Sequence, residues 1–153
     1  MTPPIDVEKA HKWFAIECNN QAWDLLESTE RTSKENERLI HTAHASCFHW
    51  LNAGKAIHHA RAESLVANAH SAAGSGESAL RHAKRCLELI EAKPEGVADW
   101  DLAFALDGLA RASAAAGDET AAAENRKKAR EAGDAIADAE DRKFFDAWFE
   151  KES

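Results

Sequence analysis

The chain has 153 residues, with 19 Lys and Arg against 27 Asp and Glu, and a formal charge of −8 with histidine neutral. Alanine supplies 33 residues whereas Val, Ile and Thr together supply 14, which excludes a sheet protein of this size because strands draw on β-branched side chains. Alanine loses no side-chain entropy in a helix, so the composition points to an all-α fold, and the length fits one domain, residues 1–153, with its own core.

Seven helices are predicted in chain order. The first follows Pro3-Pro4, takes Asp6 as its N-cap and runs to Glu27, with Asn19-Asn20 as a place where it bends or breaks. The second opens on Thr32-Ser-Lys-Glu35, a capping box, and stops at Gly54. The third covers 56–73 and stops at Gly74, and the fourth is capped near Ser75 and ends before Pro94. The fifth takes Asp99 as its N-cap and ends at Gly117, where Asp118 caps a sixth that runs to Ile136. The last begins at Asp138-Ala-Glu-Asp141, and its Phe145, Trp148 and Phe149 at i, i+3, i+4 read as a lid packed on the end of a bundle. On the fifth helix Leu102, Ala105, Leu106, Leu109, Ala112 and Ala116 make one apolar stripe, and on the third Ala62, Val66, Ala69 and Ala73 do the same.

Charge is uneven along the chain: residues 1–40 carry −3, residues 41–93 carry +2 and residues 94–153 carry −7, and the middle block holds seven of the eight histidines. Acidic flanks exclude general nucleic-acid binding, which needs Lys and Arg to neutralise phosphates. Arg81-His-Ala-Lys84-Arg85 and Arg126-Lys127-Lys128-Ala-Arg130 share their helices with glutamates and read as solvated faces. No apolar run approaches the ~18–20 residues of a membrane span, and the start lacks the regions of a secretory signal, so a cytoplasmic protein without a membrane partner is expected. Cys18, Cys47 and Cys86 form no C-x-x-C pair and read as small buried hydrophobes in a reducing compartment.

A shift of 43 residues aligns two helical hairpins. Ala60 falls on Ala103, Ala62 on Ala105, Val66 on Leu109, Ala69 on Ala112, Gly74 on Gly117, Ala79 on Ala122 and Cys86 on Ala129. An offset held without a gap over some thirty positions indicates two copies of one unit that buries its core by stacking. Val66-Ala-Asn-Ala-His70, Gly74-Ser75, Ala79-Leu80 and Cys86-Leu-Glu-Leu89 resemble a tetratricopeptide (TPR) repeat, as do Leu109-Ala110, Gly117-Asp118, Ala121-Ala122 and Ala129. The period departs from the family's 34 residues, and His70 and Ser113 stand where large aromatics are expected. The resemblance implies a TPR-like right-handed superhelix: a divergent N-terminal hairpin over 1–54, repeats over 55–93 and 97–136, and a capping helix over 138–151. The whole chain also resembles a group of small bacterial all-helical proteins without an assigned activity, on Ile40-His41-Thr-Ala-His44-Ala-Ser46, His82-Ala-Lys-Arg-Cys-Leu-Glu-Leu89 and Asp99-Trp-Asp-Leu-Ala-Phe-Ala-Leu106.

In TPR domains the first helix of each hairpin lines a concave groove for peptides or partner helices. The resemblance carries that role to Arg61, Ser64, Asn68 and Ser71, then to Phe104, Asp107, Arg111 and Ala114. Helical geometry independently sets Arg61, Ser64, Asn68 and Ser71 opposite the apolar stripe of the third helix. Arg61 and Arg111 suit carboxylates, and Asn68 suits a peptide backbone. The expected function is therefore an interaction module for a protein or peptide, with no cofactor.

Three alternatives are weighed beside it. His41 and His44, at i, i+3, are candidate metal ligands that need a third imidazole from a neighbouring helix, His58, His59, His70 or His82. Ser46, Cys47 and His49 invite a nucleophile, but no elbow, phosphate loop or dinucleotide fingerprint accompanies them, so no enzyme is expected. Trp13 and Trp23, with Phe14 and Ile16, spread apolar surface too far around the first helix for a one-sided face, which fits a buried helix or a homodimer through it.

Overall fold

A computed structural model describes residues 1–151, which contain seven α-helices and no strand. They are α1 (Val7–Glu27), α2 (Ser33–Ala53), α3 (Ala56–Ala72), α4 (Gly76–Glu91), α5 (Asp99–Ala115), α6 (Glu119–Asp134) and α7 (Ala139–Phe149). None is long and apolar enough to cross a membrane.

The helix starts follow local chemistry. Asp6 accepts the Lys9 N–H, Asp118 accepts the Ala121 N–H, and Asp138 accepts those of Glu140 and Asp141. Thr32 and Glu35 close both bonds of their capping box. Asp99 departs from expectation. The N-cap of α5 is Ala98, whose N–H is taken by Asp101 at 2.8 Å, while Asp99 accepts the Ala137 N–H and pins the α6–α7 connection. Asn19-Asn20 does not break α1, which runs on through both residues to Glu27.

The 43-residue offset extends to the backbone. Helix α5 begins and ends 43 residues after α3, and α6 does so after α4. Gly74 and Gly117 take φ of 77° and 80°, a left-handed geometry that favours glycine. The N–H of the next residue then reaches His70 O in the first hairpin and Ser113 O in the second, at 2.9 Å in both.

Consecutive helices pack on one another, and α1 also packs on α3, α3 on α5 and α5 on α7. Helices α3 and α5 are therefore enclosed on nearly every side: Ala62, Val66 and Ala69 of the α3 stripe and Ala105 and Ala112 of the α5 stripe are buried, but the faces opposite them are buried as well. Leu102 and Ala116 of the expected α5 stripe are exposed, whereas Asp101, Asp107, Arg111 and Ser113 are buried. Alanine makes the close approach possible: Ala67, Ala79, Ala83 and Ala112 form a buried contact where α3, α4 and α5 meet.

Helix α7 packs as the predicted lid. Phe145 and Phe149 are buried with Ala103, Ala129 and Ile136. A Cβ at Gly133 would collide with the Phe145 ring, so α6 carries glycine where α7 docks. The far end of α7 reaches the first helix, with Trp148 edge-on to Trp23 and the Lys151 ammonium donating to the Glu27 carbonyl at 2.7 Å.

Candidate functional site

The expected groove residues separate into two cavities and a buried pair. Arg61 and Ser64 line a cavity of about 500 Å³ on the side formed by α1, α3, α5 and α7. Its walls are Asn19, Trp23 and Glu27 from α1, Trp100, Asp101 and Phe104 from α5, and Asp141 and Phe144 from α7, with Cys86 and Ile90 of α4 behind them. The volume and the aromatic lining fall within the range of ligand pockets.

Arg61 is a wall of this cavity. Its Nε and Nη2 donate to the two Asp101 oxygens at 2.9 Å each, and its guanidinium carbon lies 4.4 Å from the Trp100 ring centroid. The fork that the sequence offers to a partner's carboxylate is thus held by the protein's own carboxylate.

Asn68, Ser71 and Arg111 line a second cavity of about 290 Å³ with Leu26, Arg31 and Trp148. Asn68 and Ser71 are not on a wet face. Asn68 is 3% exposed, and both its amide atoms and the Ser71 hydroxyl have no hydrogen-bond partner among the described residues. Arg111 ties α7 down: Nε donates to Asp107 at 2.7 Å, Nη2 to the Trp148 and Lys151 carbonyls, and the guanidinium stacks on Trp148. Asp107 is fully buried, and it also accepts the Trp148 indole N–H at 3.0 Å. Burial pushes its carboxyl above the usual range against the pull of Arg111 and Trp148. Phe104 lines the larger cavity as the alignment implied, and Ala114 is exposed.

The α1 wall was not legible in the sequence. Asn19, Trp23 and Glu27 lie in the hairpin that aligns with neither repeat, and only the ten-residue spacing of Trp13 and Trp23 drew attention to that helix.

The histidines of the middle block sort into separate groups. His41 is exposed, and the three-imidazole cluster that gathers around His44 does not include it. His44 meets His70 of α3 and His82 of α4, two of the histidines expected to supply a third ligand from a neighbouring helix. His49 turns away and pairs with His11 of α1, Nδ1 to Nδ1 at 2.8 Å. The Ser46 hydroxyl is buried and donates to the Ala15 carbonyl at 2.8 Å, so it links α2 to α1 rather than facing His49.

All three cysteines are free thiols. Burial pushes Cys47 up to about 11 and Cys86 up to about 12, and it also raises Cys18, with the Glu17 charge adding to it.

Apolar surface remains exposed where the start of α1 meets the end of α2. Trp13, Phe14 and Ile16 face solvent there, with Phe48 and Leu51. Phe14 stacks on His49, and Phe48 sits edge-on to His11.

Compared with known proteins, the chain matches no family model, no curated protein and no solved structure.

Proposed function

We propose that this chain is a TPR-like interaction module that holds one segment of a protein or peptide in the larger cavity. The observation that carries the reading is the cavity's construction. Four helices that follow the alternate order of the chain, α1, α3, α5 and α7, each contribute an aromatic or polar wall, and the Arg61–Asp101 pair fixes one side. The favoured occupant is a segment with an aromatic or aliphatic side chain next to Lys or Arg. Trp23, Trp100, Phe104 and Phe144 suit the apolar group, and the exposed Glu27 and Asp141 suit the cation, since Arg61 already neutralises Asp101.

Panning a random peptide library displayed on phage against the intact chain tests this reading. Enriched peptides should pair an apolar residue with a basic one. They should lose binding when Ser64→Trp fills the cavity, and weaken when Glu27→Gln and Asp141→Asn are combined. Peptides that bind Ser64→Trp as well as they bind the wild type would overturn it.

A second association rests on a different observation, the exposed Trp13, Phe14, Ile16, Phe48 and Leu51 surface. It suits a second copy of the chain, joined through the N-terminal helix.

A further inference from the structure

The side of the molecule formed by α2, α3 and α4 carries a cluster that the groove does not use. His44, His70 and His82 come from three successive helices, and one ring nitrogen of each lies within 4.8 Å of the others. The His44 and His70 Nε2 atoms face each other at 2.9 Å, and the His44 ring meets both the His70 and the His82 ring edge-on, with centroids 5.2 and 5.4 Å away. Tetrahedral zinc, with Zn–N near 2.0–2.1 Å, holds its nitrogens about 3.3 Å apart, so the first pair opens slightly and the third ring closes in.

A second feature points to an ion. The Glu63 carboxylate sits 2.6 Å from His82 Nδ1, which sets that nitrogen as the donor and leaves Nε2 as the free lone pair. A carboxylate behind an imidazole orients it and makes it a better ligand, which is the arrangement found behind metal-bound histidines. Neutral imidazole is the form that binds. The facing Nε2 atoms of His44 and His70 fit a neutral ring on at least one side, since one nitrogen must accept from the other.

The second hairpin serves as an internal control. At the 43-residue offset, Glu63, His70 and His82 correspond to Leu106, Ser113 and Asn125. Ser113 and Asn125 bond back to carbonyls of their own helices, Leu109 and Ala121, and the hairpin forms with the same helix ends and turn. The hairpin fold therefore does not require imidazoles at these positions, nor a carboxylate at Glu63.

We propose that His44, His70 and His82 form a three-imidazole site for a borderline divalent transition ion such as Zn2+, with Glu63 as the residue that positions His82. His44 is exposed, so the fourth coordination position opens to solvent and to an exogenous ligand. The inference is independent of the groove, whose walls it does not share. In the ion-free pair, His70 is best placed to donate from Nε2, because the opposite tautomer leaves a buried Nδ1–H without a partner. Binding an ion moves that proton to Nδ1, which weakens the site without blocking it.

The test uses the tag-free intact chain, stripped with chelator, and Zn2+ titrated against a chromophoric competitor. One ion per chain is expected. His44→Ala and His82→Ala should each weaken binding by about 100-fold or more, and Glu63→Gln should keep the stoichiometry while weakening binding about 10–100-fold. His41→Ala and His11→Ala, the latter disrupting the separate His11–His49 pair, should leave affinity unchanged. Co2+ in place of Zn2+ should give the visible absorption of a tetrahedral site in the wild type and lose it in His82→Ala. Circular dichroism checks that each variant folds, and the exposed His44 supplies a variant free of core disruption. Substoichiometric binding, binding retained in both His44→Ala and His82→Ala, or binding lost in His11→Ala would overturn the proposal.

Discussion

Arg61 and Asp101 face each other as a planar fork and a carboxylate, joined by two hydrogen bonds of 2.9 Å across the α3–α5 contact. The pair is asymmetric: the Asp101 side chain is 2% exposed and that of Arg61 37%. Removing the arginine strands a buried charge that also caps α5, whereas removing both ends does not. Arg61→Ala is expected to lower stability by about 3 kcal/mol in urea unfolding, and Arg61→Lys to recover only part of it, because an ammonium cannot reproduce the fork. Arg61→Met combined with Asp101→Asn should be more stable than Arg61→Ala alone.

Gly133 sets how closely α7 approaches α6, since any Cβ there meets the Phe145 ring. Gly133→Ala should lower stability by about 1–3 kcal/mol despite the better helix propensity of alanine, because overpacking outweighs it. Limited proteolysis should cut the α6–α7 connection sooner in this variant than in the wild type.

The imidazole cluster also predicts a pH dependence of the ion-free chain. Burial pushes His70 down to about 4 from the ordinary 6.5, so its contribution to stability is expected to be complete above 6.5 and to be lost as pH falls toward 4, where the unfolded chain binds the extra proton. His44, lowered as well, acts in the same direction, and Asp107, raised by burial, acts in the opposite one. Urea midpoints measured across that window should fall more steeply for the wild type than for His70→Gln, in which the Asp107 contribution is unchanged.

The exposed aromatic surface of α1 and α2 predicts self-association. Light scattering should give a concentration-dependent dimer, and Trp13→Ser with Phe14→Ser should give a monomer with unchanged helix content. A wild type that stays monomeric at high concentration would remove this interface.

Seven helices, most of their caps and the paired hairpins were legible because each depends on signals within a few residues or on one fixed offset. Thr32 with Glu35 and Gly74 with Gly117 are such signals. The site was less legible. Helical periodicity set Asn68 and Ser71 opposite the apolar side of α3, but that face is buried, because α1, α2, α4 and α5 all pack on this one helix. Arg61 and Arg111 were identified as charged groups, but not that Asp101 and Asp107 would hold them. His44, His70 and His82 are separated by 26 and 12 residues and match no ligand spacing, so only the packing of three helices assembles them.

The contact between the last helix and the first has a consequence for how the molecule comes apart. A row of hairpins ordinarily unravels from either free end, because each unit leans only on its neighbour. Here Trp148 on Trp23 and Lys151 on the Glu27 carbonyl join residues more than a hundred positions apart, so loosening either end breaks contacts at the other. If the contact holds the two ends together, hydrogen exchange should show α1 and α7 losing protection together, and Trp148→Ala should lower protection in α1 as well as in α7.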